Sequence, residues 1–244
     1  IHGSENLTIN RAQVLKYMRQ QRDWFVARVM DSFDNSDDKN IKGRARFVEP
    51  QVLEVNGERI HANKIIIATG SRPIVPPAWR NLGHKLMTTD DFFELEDLPD
   101  SIAVIGLGAI GSELGQALAR LGIPVVGVEM LSTVCGLSDP KVNQVAIDEF
   151  AKDFEVWLGT AAHLSEQPDG VKVATEEGRS TTVDRVLAAL GRQPNVDDMG
   201  LEVFGLDFSN GFKGLVNPNT TQLADFPVFV AGDVSAFKPI LHEA

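Results

Sequence analysis

Apolar and polar positions recur with two periods along the chain, and the change of period divides it. Between Asn10 and Met30, residues Val14, Leu15, Met18, Phe25 and Val29 share one face at helical spacing, with Arg and Gln opposite. That spacing predicts a long helix. The run DSFDNSDDKN after it is acidic and turn-rich, and predicts an exposed loop. From Gly43 to Ala68 the period falls to two. RARFV, QVLEV and ERIHA alternate, separated by Glu49-Pro50 and by Asn56-Gly57. Asn-Gly between alternating segments is a hairpin signal, because both central residues of a type I′ turn need positive φ. An antiparallel meander follows from it. KIIIA (Lys64 to Ala68) predicts a buried strand ending at Thr69-Gly70. The prolines of RPIVPPAW that follow favour a crossover over a strand or helix.

The second half alternates strands and helices, the pattern of an α/β fold. Ile102 to Ile105 reads as a short apolar strand, Glu113 to Arg120 as helix, and Pro124 to Val128 as a second strand. Asp139-Pro140 starts a helix through about Asp153, with Asp as N-cap and Pro in the first helical position. EVWLG, VKVAT, RVLAAL and FPVFVAG predict strands, and Glu177-Gly178 the turn of a hairpin.

Chemistry enters between Ile102 and Glu129. Gly106, Gly108 and Gly111 spell G-x-G-x-x-G between a strand and a helix. In such a motif the first glycine permits the tight turn, the second admits a pyrophosphate and the third lets helix and strand pack closely. The helix N-terminus offers free N–H groups to phosphate, and Ala109 and Ile110 within the motif are candidate cofactor contacts. An acidic residue about 20 positions on supplies the confirming context. That residue is Glu129, whose carboxylate suits the ribose hydroxyls of adenosine. A 2′-phosphate beside it would cost about 1–4 kcal/mol, and MLSTVCG after it contains no Lys or Arg to offset that. The reading is NAD(H) rather than NADP(H). Glu113 is either a carboxylate favoured by the helix dipole in the first turn or a contact to the nicotinamide end.

Bulk properties narrow the partners. The 244 residues carry a formal net charge of −11, which disfavours nucleic acid and anionic membrane surfaces. The one cysteine, Cys135, can form neither an internal disulfide nor a cysteine metal cluster. No apolar run reaches a membrane span, no His spacing suits a metal, and a cytoplasmic location is expected.

Two further strands, IIIATGS (Ile65 to Ser71) and VFVAGD (Val228 to Asp233), end in a small residue plus glycine. Ligands of open α/β sheets lie at such strand ends. Asp233 there suits a hydroxyl or a metal, or simply a strand-terminal turn. Taken in order, ATGSRP, GLGAIGSE with Glu129, ALGRQPN and VAGDV resemble the FAD- and NAD-dependent pyridine nucleotide–disulfide oxidoreductases. The resemblance covers nearly the whole chain, including Asp139-Pro140 and PILHEA. It implies an NAD-binding Rossmann-like domain (residues 96–214) inserted in a partial FAD-binding domain with a β-meander (1–95 and 215–244). It also implies that Ala45, Ala68, Thr69, Gly70, Gly232 and Asp233 line FAD. Gly191 would lie close to NAD and Glu113 near the nicotinamide, while Arg192, Pro194 and Asn195 would be structural. The parent would be a homodimer acting on a small dithiol or disulfide.

The family pattern also contains an N-terminal FAD glycine motif, a redox C-x-x-x-x-C and a C-terminal dimerisation domain with a His–Glu pair. None of these is in this sequence. Cys135 and His242 do not replace them; His61 and His163 read as surface residues. The expectation is a central piece of a longer flavoenzyme, inactive by itself. The alternatives are a glutathione- or mercury-reducing member and a non-catalytic NADH-binding module.

Overall fold

A computed structural model describes residues 10–34 and 40–235. They form two compact units. One contains Pro73–Gly191 and the chain up to Val29; the other contains Met30–Arg72 and the chain from Arg192. The predicted 31–40 loop falls partly, and PILHEA with His242 and His2 wholly, outside the described residues.

Helix α1 (Arg11–Asp34) starts at Asn10, whose side chain accepts the Gln13 N–H at 3.1 Å. Its apolar face divides. Leu15 is buried against the cluster of Met87, Phe92 and Leu98, with Met18 packed beside it. Phe25 and Val29, expected on the same buried face, are 62% and 54% exposed. Residues 31–34, expected as loop, continue the helix: neither Gly nor Pro occurs there to stop it.

The meander comprises β1 (Arg46–Glu49), β2 (Val52–Val55) and β3 (Glu58–His61), in that order and antiparallel. Asn56 (φ 54°) and Gly57 (φ 85°) make the predicted turn, with Val55 opposite Glu58. Strand β4 (Ile65–Ile67) pairs in parallel with a strand 163 residues on, described below. Ile65 and Ile67 are buried, but Ile66 is 68% exposed, so the strand is buried on one face only. The proline-rich segment is more ordered than expected. Ser71–Pro73 is a short strand, β5, and Pro77–Lys85 forms 3-10 turns interrupted at Gly83 (φ 54°). Pro77 sits at the first helical position, where a missing N–H costs nothing.

A five-stranded parallel sheet is the core of the first unit. Its strands are β6 (Leu86–Thr88), β7 (Ile102–Ile105), β8 (Val125–Glu129), β9 (Glu155–Leu158) and a later strand, Arg185–Ala188. β6 leads into α2 (Thr89–Phe92), a single turn closed by a Thr88–Asp91 capping box. Between strands lie α3 (Ala109–Arg120) and α4 (Pro140–Phe150). Asp139 caps α4, accepting the Lys141 and Val142 N–H groups. α3 begins four residues earlier than predicted, directly after Gly108. Beside the sheet lies an antiparallel trio, β10 (His163–Gln167), β11 (Gly170–Ala174) and β12 (Ser180–Val183). His163, expected at the surface, is the first residue of β10 and is exposed. Arg185–Ala188 is β13, and the sheet order is β6-β13-β7-β8-β9.

The second unit resumes with β14 (Arg192–Pro194), which pairs with β5, and ends with β15 (Val228–Val230), the parallel partner of β4. Phe47 and Phe204 meet edge-to-face at 4.9 Å in its core, with Ile67, Phe212, Leu223 and Val230. The units change at 72/73 and 191/192 rather than at the expected 95 and 214. Residues 86–88 are the edge strand of the parallel sheet, and Leu201, Phe204 and Phe212 pack with Phe47. Likewise α1 up to Val29 groups with the parallel sheet, through Leu15, rather than with the meander.

Candidate functional site

The glycine turn after β7 is shaped by two close approaches. Gly106 has φ 95°, and a Cβ there would lie 2.4 Å from the Ala189 carbonyl oxygen. A Cβ on Gly111 would lie 1.9 Å from the Gly106 oxygen. Neither position admits another residue without moving backbone. Gly108 is different: a Cβ there would meet nothing within 4 Å. Its lack of a side chain leaves open space in front of α3, and no side chain caps that helix terminus. Uncapped N–H groups beside open space suit an anionic group.

Glu129 ends β8 beside this turn. One carboxylate oxygen accepts the Leu107 N–H at 2.7 Å and the other the Leu131 N–H at 3.0 Å. The acid therefore ties the glycine turn to the loop after its own strand. Each oxygen keeps a lone pair for a ligand hydroxyl. That loop is held further by Asn143 of α4, which accepts the Val134 N–H at 2.9 Å and donates to the Ser132 carbonyl. Cys135, half-buried with φ 55°, donates its N–H to the Leu107 carbonyl at 2.8 Å.

Gly106, Gly108, Glu129 and Gly191 line one cleft of about 540 Å³ at the carboxyl ends of the parallel strands. Its walls are Ile105, Val128 and Ala189 from strand ends, Met130 and Leu131 after Glu129, and Thr160–Ala162 after β9. Pro76 and Trp79 close one side. Gly191 (φ 94°) is fixed by its carbonyl, which accepts the Ile74 N–H at 3.0 Å. Ala109, Ile110, Gly111 and Glu113 continue along α3 and are not in the lining. Glu113 is exposed and lies in the second turn, so the expected first-turn dipole placement does not hold. Sequence reasoning missed Trp79 and Thr160. Both lie on connections, where hydrophobic periodicity carries no signal.

The second unit has a cleft of about 490 Å³ lined by Ala45, Ala68 and Thr69, with Arg44, Phe47, Ile66, Arg72 and Asn195. Gly70, Gly232 and Asp233 are outside that lining. The loop after β4 is clamped by Asn195, which donates to the Thr69 carbonyl at 3.0 Å and accepts from Arg72 at 2.9 Å. The Thr69 hydroxyl donates to the Asn195 carbonyl at 2.7 Å. Arg192 donates to the Ser71 hydroxyl at 2.8 Å, and Ser71 donates to Asp233 Oδ2 at 3.1 Å. Asp233 Oδ1 is buried and has no hydrogen-bond partner among the described residues. A buried carboxylate oxygen left unpaired is costly, and a ligand hydroxyl would satisfy it.

Among the described residues no helix is long and apolar enough to cross a membrane, and no group of three or more His, Cys, Asp or Glu side chains could hold a metal ion.

Fold and clefts define an α/β protein with a dinucleotide-type glycine turn. Residues 8–244 match the pyridine nucleotide-disulphide oxidoreductase family, and the chain belongs to that family. The dihydrolipoyl dehydrogenase of Bacillus subtilis is 29% identical, over 99% of this chain and 53% of its own length. A mercuric reductase of Staphylococcus aureus is also 29% identical, over 97% of this chain and 45% of its own length. LpdA from Mycobacterium tuberculosis has a similar fold, with TM-score 0.82, 23% identity, and coverage of 97% of this chain and 54% of that one. The chain spans about half the length of the curated relatives it matches.

Proposed function

We propose that the first unit binds NAD(H) and the second contributes to an FAD site, in a protein that oxidises a small dithiol as dihydrolipoyl dehydrogenases do. The observation carrying this reading is the pair Gly108 and Glu129: open space before an uncapped helix N-terminus, with a carboxylate on the same cleft. In the proposed complex the α3 N–H groups of Ala109 and Ile110 face the pyrophosphate. Glu129 accepts hydroxyls of the adenosine ribose, which sets the preference for NAD over NADP. Ala189 and Gly191 bound the other end of the cleft, and Glu113 stands toward the nicotinamide.

In the second unit, Asp233 Oδ1 takes a hydroxyl of FAD. Ala45, Ala68, Thr69, Gly70 and Gly232 line the same cofactor, with Asn195 and Arg192 holding their loop. FAD, when bound, supplies two-electron transfer between thiols and nicotinamide. The chain's own residues bind and orient; its single cysteine cannot form the redox disulfide. The 244-residue chain contains one G-x-G-x-x-G, already assigned to NAD, so we propose that alone it binds FAD weakly and does not turn over. The identity to mercuric reductases favours a metal-reducing member as the second reading. A protein containing this chain is expected to show yellow flavin absorbance and NAD-linked lipoamide reduction. Flavin with mercuric but no lipoamide activity selects the second reading, and no flavin at all contradicts both.

A further inference from the structure

The turn joining β11 and β12 reaches the wall of the dinucleotide cleft. Thr160, which lines that cleft, is 6% exposed and donates its N–H to the Glu129 carbonyl at 3.2 Å. Its hydroxyl donates to Glu177 Oε2 at 2.6 Å. Glu177 is the residue before Gly178 (φ 87°), in a turn closed by Thr175 N–H to Arg179 carbonyl at 2.9 Å. Glu176, its neighbour, lies 3.7 Å from His163 Nε2. Two hydrogen bonds through one residue therefore connect the Glu177 carboxylate to the backbone of Glu129.

We propose that Glu177, fastened by Thr160, is a second determinant of coenzyme choice: it places a further negative charge at the adenosine end of the cleft, against the 2′-phosphate of NADP(H). This rests on the NAD(H) reading of that cleft. The carboxylate repels a 2′-phosphate through space. Glu177 is exposed, so salt weakens the repulsion over a distance of about 10 Å. Glu129 acts at contact range and Glu177 from the next residue outward, so the effect of Glu177 is the smaller.

NADH and NADPH dissociation constants for the chain and its variants test this, each at low and high salt. Glu177→Gln keeps an oxygen acceptor for the Thr160 hydroxyl while removing the charge. It should shift the ratio toward NADPH about three-fold, and Glu177→Lys about ten-fold, both diminished at high salt. Glu176→Gln, an equal charge change at a carboxylate that lies beside His163 rather than on Thr160, should shift it less than either. An unchanged ratio in both Glu177 variants, with NADH still bound, overturns the role of Glu177 and leaves the site intact. A wild-type chain that binds neither nucleotide overturns the NAD(H) reading itself.

Discussion

Gly106 and Gly108 are the same residue type two positions apart, yet their substitutions should fail differently. Gly106→Ala forces a Cβ to 2.4 Å from a backbone oxygen and strains a φ of 95°. Thermal denaturation should show a loss of about 1–3 kcal/mol. Gly108→Ala meets no protein atom. It should cost about 1 kcal/mol or less in stability, as a change at an N-cap, while weakening NADH at least about ten-fold by calorimetry. Glu129 is expected to combine both kinds of role. Glu129→Gln faces an amide NH2 toward one of the two N–H groups the carboxylate now accepts. It should lose about 1–3 kcal/mol in denaturant unfolding, besides relaxing coenzyme preference. The glycine turn was legible in the sequence because its shape is local backbone geometry. The two hydrogen bonds that Glu129 accepts and the Thr160–Glu177 link were not, since both depend on which loops fold together.

Among elements, α1 shows where periodicity reaches its limit. Its helical spacing was readable, but half of its apolar face is exposed in the described structure. Leu15→Ala should destabilise by about 2–5 kcal/mol, because it empties a packed core site. Phe25→Ala should change stability by about 0.5 kcal/mol or less. Equal losses would show that the two positions are equally buried. Strands β6 and β10 escaped prediction: the first is three residues long, and the second is mostly polar and exposed. The β11–β12 hairpin was readable from its Gly178 turn, and it carries a pH signature. The Thr160 hydroxyl, then the turn's own backbone and Thr175, hold the Glu177 carboxyl below its usual range. A depressed carboxylate stabilises the fold fully above its unfolded pKa and loses that contribution as pH falls through the lower folded value. Glu177→Gln should therefore lower the melting temperature slightly at neutral pH, where that contribution is present, and converge with wild type at acid pH, which flattens the acid limb of the profile.

At the scale of the molecule, the order of motifs announced one α/β unit inserted within another. The positions of the changeover were not legible, because the segments around residues 73–95 and 192–214 declare their allegiance only through packing. β6 completes the parallel sheet; Leu201, Phe204 and Phe212 complete the aromatic core around Phe47. The first unit carries its proposed dinucleotide cleft within its own residues, whereas the second leaves a buried Asp233 oxygen unpaired among the described residues. Calorimetric titration of the chain with NADH tests the account most directly. Saturable binding of one NADH per chain, weaker for NADPH and lost in the folded Gly108→Ala variant, is the predicted result. A folded wild-type chain that takes up no NADH, or a Gly108→Ala variant that binds it as well as wild type, would contradict it.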